Sequence, residues 1–232
     1  MKNKTILITG ATSGIGYATA LAFSKLGANL ILCGRREEKL IQLSKKVKVP
    51  NTTLKFDVRD NLKVKTSINS LPLKFKKIDI LINNAGNAHG LDSIDEANID
   101  DWDAMIDSNV KGLMYVTKAV IPFMIKNKSG HIINVGSIAG KEVYPKGSVY
   151  CSSKFAVDAF TKGLRIDLLK FGIKVSAINP GLVETEFSLI RFKGDNDRAK
   201  TVYSGLKPLS AEDVAKSIIY IANTPSHVTI AD

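Results

Sequence analysis

Short runs of aliphatic and β-branched residues recur along the chain, separated by longer stretches whose apolar positions return every three or four residues. TILIT (5–9), NLILC (29–33), TTLKF (52–56), IDILI (78–82), HIINV (131–135) and KVSAI (174–178) predict six strands, and VTI (228–230) the start of a seventh. Between them, stretches such as GYATALAFSKLG (16–27) place Ala18, Leu21, Ala22 and Leu26 at helical spacing. Strand and helix in alternation imply right-handed crossovers and a parallel sheet covered on both sides. The predicted fold class is α/β: a Rossmann-like doubly wound parallel sheet of six to seven strands with helices on both faces.

Repeats, low-complexity tracts and Pro/Gly/Ser linkers are absent, so residues 1–232 are read as a single domain. The longest departure from the rhythm, 186–210, is rich in charge and glycine and is expected to form a partly helical lid over the C-terminal edge of the sheet.

Composition narrows the classes. No stretch approaches the roughly 18 unbroken apolar residues of a membrane span. The apolar run after the basic start MKNK stops at Thr9-Gly10, too short for a signal peptide. Two cysteines, Cys33 and Cys151, are too few for a disulfide framework and fit a reduced, cytoplasmic protein. A formal net charge of +11 raises the question of nucleic acid. The cations are mostly lysines dispersed along the chain, with no aromatic-interleaved basic stretch, so they are read as a solvated surface. Neither nucleic acid, membrane nor metal is an expected partner.

Candidate chemistry begins at the first strand, which runs into TGATSGIG and then a helix. Gly10, Gly14 and Gly16, with Thr12, Ser13 and Ile15 between and beside them, let the backbone turn tightly and close on a pyrophosphate held by helix N-terminal amides. An NAD site usually ends its second strand on an acid that binds the adenosine ribose. Here Gly34 stands in that slot, followed by Arg35 and Arg36, a pair suited to a 2′-phosphate, although Arg36 also reads as a solvated helix start. The expected cofactor is NADP. VYCSSKF (149–155) adds a phenol and an ammonium one helical turn apart, Tyr150 and Lys154, which on spacing alone is an ordinary surface pair.

In order, TGATSGIG (9–16), DV (57–58), NNAG (83–86), Asn109 in SNVKG, Ser137 in VGSIAG, YCSSK (150–154) and NPGLVET (179–185) resemble the short-chain dehydrogenase/reductases over essentially the whole chain. The resemblance implies that Tyr150 is the acid/base, that Lys154 lowers its pKa and binds the nicotinamide ribose, that Ser137 orients the substrate oxygen, and that Asn109 holds a water of the proton relay. It further implies that Asp57 and Val58 flank the adenine and that Asn83, Asn84, Ala85 and Gly86 pass the adenosine ribose. Pro180, Gly181, Val183 and Thr185 would hold the nicotinamide carboxamide. Asn83 also admits a purely structural part, pinning neighbouring strands. An ammonium about 5 Å from a phenol at an effective dielectric of about 20 is worth roughly 3 kcal/mol, or about two pKa units, which would bring Tyr150 close to working pH.

PGLVETEFSLIRFKGD (180–195) and the stretch KEVYPKGSVYCSSKFAVDAF before it resemble the narrower NADP-dependent 3-hydroxy acid dehydrogenases, including the serine and L-allo-threonine dehydrogenases. This implies an enzyme acting on CH–OH (EC 1.1.1.-). The implied substrates are short β-hydroxy acids: serine, L-allo-threonine, 3-hydroxyisobutyrate or 3-hydroxypropionate. The alternatives are a carbonyl reductase of the same fold acting on 3-ketoacyl thioesters or other ketones, and a non-catalytic NADP-sensing protein. Arg191, helped by Lys193, is expected to pair with the substrate carboxylate; the other reading pairs Arg191 with Asp195 or Asp197. Substrate binding thus falls to Ser137, Tyr150 and Arg191. The resemblance also implies a homo-oligomer, tetramer or dimer, and a last strand and tail continuing beyond HVTIAD, so a truncated end is expected.

Overall fold

The computed structural model describes all 232 residues. β1 (Thr5–Thr9), β2 (Asn29–Gly34), β3 (Asn51–Lys55), β4 (Ile80–Asn83), β5 (Gly130–Val135) and β6 (Ile173–Ile178) form one parallel sheet in the order β3-β2-β1-β4-β5-β6. The helices are α1 (Gly14–Lys25), α2 (Glu37–Lys46), α3 (Asn61–Asn69), α4 (Ile99–Ile106), α5 (Leu113–Lys126), α6 (Ser148–Leu168), α7 (Glu186–Arg191), α8 (Asn196–Thr201) and α9 (Ala211–Ala222).

Two apolar layers follow from the strand period of two. Ile6 and Ile8 face one side, with Ala20 and Phe23 of α1, Leu40 and Leu43 of α2, and Val214, Ile218 and Ile221 of α9. Leu7 points the other way, onto Val64 and Ile68 of α3, Val116 and Val120 of α5, and Leu164 and Leu168 of α6. Each such side chain contributes roughly 1.5–3 kcal/mol by leaving water. A cap such as Asp60 on α3, accepting from Lys63 N at 2.9 Å, adds about 1 kcal/mol. Packing against the sheet therefore holds the helices, and the caps set where they start.

β1 is the branch point of the sheet: β2 and β3 wind to one side of it and β4, β5 and β6 to the other. In open α/β sheets the crevice at such a reversal, beyond the carboxyl ends of the strands, receives ligands.

Several predicted boundaries moved. β4 begins at Ile80, because Asp79 before it accepts from His131 N and donates to Thr5 O outside the regular ladder. Leu26 lies beyond the end of α1 and is exposed. Residues 228–230 form no strand; what remains of the expected seventh is one backbone bond, Ala177 N to Ala231 O at 3.0 Å, braced by Arg165 donating to the same carbonyl at 2.7 Å. A two-residue ladder of Val183–Glu184 (β7) with Leu209–Ser210 (β8) was not foreseen. It ties together the two ends of the segment that carries α7 and α8.

Candidate active site

A cleft of about 740 Å³ opens beyond the carboxyl ends of the sheet strands. Most of the expected residues line it: Gly10, Thr12, Ser13, Gly14 and Ile15; Arg35 and Arg36; Asp57 and Val58; Asn84, Ala85 and Gly86; Ser137, Tyr150 and Lys154; Pro180, Gly181, Val183 and Thr185; and Arg191. The topology brings these distant segments together; their spacing in the chain does not.

At the phosphate end, Gly10 has φ +64°, and a Cβ there would lie 2.8 Å from Asn84 Nδ2 and 3.0 Å from Ala85 Cα, so only glycine fits. Asn84 braces this turn, donating through Nδ2 to Thr9 O at 2.9 Å and Gly10 O at 3.2 Å. Thr9, which sequence reasoning passed over as a strand residue, accepts at Oγ1 from both Asn84 N and Ala85 N at 3.0 Å. Gly16 is behind the cleft: a Cβ there would sit 2.3 Å from Gly10 O, so its part is to let α1 pack on the loop.

Arg36 donates to Thr12 Oγ1 and Ser13 Oγ, and its Nη1 pairs with Glu186 at 2.7 Å. Lys39 holds the other oxygen of Glu186 at 2.8 Å. Arg35 is largely exposed, 3.6 Å from Asp57. Burial works to raise the Asp57 pKa, but hydrogen bonds and charge from Arg59, with the Arg35 charge, bring the net shift down. The solvated reading of Arg36 is thus corrected to an engaged one, and Lys39 and Glu186 join the phosphate end. The long-range ion pair of Glu186 with Arg36 had no sequence signal.

At the catalytic end, Tyr150 and Lys154 sit one turn apart on α6, facing β5. Lys154 Nζ donates to Val135 O at 3.0 Å and lies 5.9 Å from the Tyr150 ring centre. The protein's own groups do not lower the phenol. Burial raises Tyr150 to about 12; the Ser137 hydroxyl works to lower it, the Tyr144 phenol to raise it and the Arg191 charge to lower it. Burial also lowers Lys154 to about 8. The expected two-unit depression is therefore not found. Desolvation disfavours both ions, and the ammonium is turned to a carbonyl rather than to the phenol oxygen.

Asn83 and Asn109 do not line the cleft. Asn83 is buried and donates to Thr117 Oγ1 at 2.8 Å and Asn134 Oδ1 at 2.9 Å, so it pins β4 to its neighbours. Asn109 sits in a π-helical turn, Asp107–Gly112, between α4 and α5. Its Oδ1 accepts from Asn87 N, and its Nδ2 donates to Asn87 O and Ser153 Oγ. That side-chain amide is occupied by protein at both ends, so any water that Asn109 holds would be held by its backbone in the π-helical turn. Through Ser153, whose hydroxyl donates to Tyr150 O at 2.7 Å, the amide steadies the catalytic turn of α6.

Arg191, at the last turn of α7, is half-buried, with its Cζ 5.9 Å from the centre of the Tyr150 ring. Its Nε donates to Gly90 O at 2.9 Å, and Gly90 N donates back to Arg191 O at 2.9 Å. No carboxylate lies within 4.0 Å of it. Asp195 instead caps α8, accepting from Asp197 N and Arg198 N. Lys193 turns away and pairs with Asp101 at 3.0 Å, so it does not help Arg191. At the far end of the cleft, the Cys33 thiol in β2 is pushed up by burial and is inert, as expected of a core residue.

Residues 4–194 match the sequence pattern described as short chain dehydrogenase. A protein of Schizosaccharomyces pombe named NADP-dependent 3-hydroxy acid dehydrogenase is 46% identical, over 100% of this chain and 92% of its own. Sulfoacetaldehyde reductase 2 of Chromohalobacter salexigens is 45% identical, over 97% and 90%. Among solved structures, the closed form of serine dehydrogenase complexed with NADP⁺ superposes with a TM-score of 0.95 at 41% identity, over 97% and 92% of the two chains.

Proposed function

The chain belongs to the short-chain dehydrogenase family, and on that premise we propose that it is an NADP-dependent oxidoreductase of short 3-hydroxy acids. One observation carries the substrate class: the Arg191 guanidinium, half-buried beside Tyr150, has no carboxylate partner. A partly desolvated cation without a counter-ion is costlier to hold than a solvated one, and a substrate anion relieves that cost. A planar fork suits a carboxylate in particular.

NADP fits the residues present. The cleft of about 740 Å³ has room for a dinucleotide, the Gly10 turn admits no side chain, and Arg35, Arg36 and Lys39 offer three cations to a 2′-phosphate. When bound, NADP supplies the hydride acceptor or donor. The chain's own residues handle the proton and the alignment. Tyr150 Oη exchanges the proton of the substrate hydroxyl, Ser137 Oγ holds that oxygen in place, and Lys154 supplies the nearby cation that a phenolate needs. Arg191 fixes the far end of the substrate, so the carbinol carbon is presented in one orientation. The 186–210 segment acts as the lid.

A second reading keeps the reaction and changes the anion. The relative at 45% identity is named for a sulfonate-bearing aldehyde, and a sulfonate one carbon removed from the carbinol stands where a 3-hydroxy acid has its carboxylate. A 3-ketoacyl thioester, by contrast, has no free anion for Arg191. We also propose a cytoplasmic homo-oligomer. The two buried free cysteines support the compartment, and the exposed Ile166 and Leu169 of the α6 end support the assembly; light scattering on purified protein tests the latter.

Steady-state rates on serine, L-allo-threonine, 3-hydroxyisobutyrate, 3-hydroxypropionate and 2-hydroxyethanesulfonate, with both nicotinamide cofactors, rank the substrates. Arg191→Met tests the anion contact. It should lower kcat/KM on a 3-hydroxy acid by about 2–5 kcal/mol and on the methyl ester far less. Equal losses on acid and ester would overturn the reading.

A further inference from the structure

Tyr144 lies in the KEVYPKG stretch, where the sequence assigned it no part, yet it lines the substrate end of the cleft. The turn that carries it is strained. Gly147 N donates to Tyr144 O at 3.1 Å, closing a four-residue turn, and Lys146 inside it holds φ +63°. A long side chain adopts that conformation at a cost. The ring then lies so close on the backbone that a Cβ at Gly147 would be 2.1 Å from its Cε2. Strain of this kind persists where neighbouring contacts fix a side chain, and here the neighbour is Arg191.

The Arg191 Cζ is 5.6 Å from the Tyr144 ring centre, 5.9 Å from that of Tyr150 and 6.0 Å from that of Phe192. Burial raises the Tyr144 pKa while the Arg191 charge works against the rise, as expected for a phenol close to a guanidinium. Gly90 has already taken Nε. The fork is therefore held from one side by a backbone carbonyl and flanked by three aromatic rings, with the Tyr144 hydroxyl within its reach.

We infer that Tyr144 is a positioning residue that holds the Arg191 fork at the depth and angle at which it meets a substrate anion, and so sets the site's preference for short anionic substrates. The inference rests on the reading of Arg191 as the anion contact. A guanidinium on a flexible stem loses rotamer freedom when it binds, and one already stacked loses less. Tyr144 acts on affinity for the anion and leaves the proton transfer at Tyr150 alone.

The test uses the full chain with NADP, 3-hydroxypropionate and its methyl ester, with KM and kcat read separately for Tyr144→Leu, Arg191→Met and the double variant. Thermal unfolding checks that each is folded. Tyr144→Leu should raise KM for the acid roughly tenfold, leave kcat within about twofold and leave the ester unchanged. The double variant should be no worse on the acid than Arg191→Met, since both changes remove one interaction. Tyr144 loses its role if Tyr144→Leu leaves the acid KM unmoved, harms acid and ester alike, or adds fully to Arg191→Met, while Arg191→Met keeps its acid-selective loss. Equal losses on both substrates in Arg191→Met overturn the anion contact and this inference together. Should Tyr144→Leu not fold, Tyr144→Met replaces it, since it too removes the ring; an acid-only rise in KM of severalfold is expected, and an unchanged KM overturns the role.

Discussion

Arg36, just past the end of β2, reaches across the mouth of the cleft to Glu186, the first residue of α7, at 2.7 Å. Lys39 holds the other carboxylate oxygen, so one acid occupies two cations that a 2′-phosphate could use. These groups are about 40% exposed, which makes the ion pairs weak and sensitive to salt. Glu186→Gln should therefore tighten NADPH binding by roughly three- to tenfold at low ionic strength, leave NADH unchanged, and lose the gain in high salt. Fluorescence titration of NADPH measures it. Weaker NADPH binding would mean that Glu186 aligns the cations rather than competing for them.

Cofactor choice should exceed a hundredfold in kcat/KM for NADP over NAD, since two charge-assisted phosphate contacts at about 1.5–3 kcal/mol each suffice. Arg35 is the freer of the two arginines, and Arg35→Ala should lose most of that preference. Gly34→Asp should move the preference toward NAD. Its Cβ would meet Thr12 Cγ2 at 3.0 Å, so some loss of total activity should accompany the switch. An Arg35→Ala enzyme with its preference intact would place the 2′-phosphate elsewhere.

Tyr150→Phe should abolish turnover with NADPH binding retained, because it removes the transferable proton and almost no volume. Retention of even a tenth of the wild-type kcat would show that another group carries the proton.

Lys154 titrates near 8 in the folded protein against 10.5 when solvated, because burial disfavours its charge. Below pH 8 both states hold the proton and the burial cost is present in full. Between 8 and 10.5 the unfolded chain binds more protons, so stability should rise with pH, by about 3 kcal/mol at most. From about pH 9 the raised Cys33 thiol, and above pH 10 the raised Tyr150, oppose that slope, since the folded state then keeps those protons longer. Urea unfolding across pH 7–10 should show the rise in the wild type and not in Lys154→Met; parallel curves would contradict it.

Asn83→Ala should destabilise the fold by about 1–3 kcal/mol, leaving the Asn134 and Thr117 partners of a buried amide unpaired. NADPH affinity should change by less than about threefold. A tenfold loss of affinity in a protein of unchanged stability would return Asn83 to the cofactor site.

Local chemistry was enough for the strands, the glycine turn, the Arg35–Arg36 pair and the spacing of Tyr150 and Lys154, because each depends on neighbours within a turn or two along the chain. The alternation of elements pointed to a doubly wound parallel sheet, while the strand order and the cleft at the β1 reversal came from the tertiary structure. What the sequence could not decide depends on contacts between segments far apart along the chain. Arg36 meets Glu186, 150 positions away, only because β7 and β8 fold α7 over the mouth of the cleft. The surroundings of Arg191 were equally hidden: its Nε is taken by Gly90 O, 101 positions back, its Cζ lies beside the Tyr144 ring, and Lys193 pairs with Asp101 instead of joining it. Asn83 and Asn109 carry motif identities, but burial saturates their amides with protein partners. The pKa shifts of Tyr150 and Lys154 differ from the spacing argument for the same physical reason: sequence spacing gives the Coulomb attraction between two groups, and only the tertiary structure gives the desolvation that opposes it.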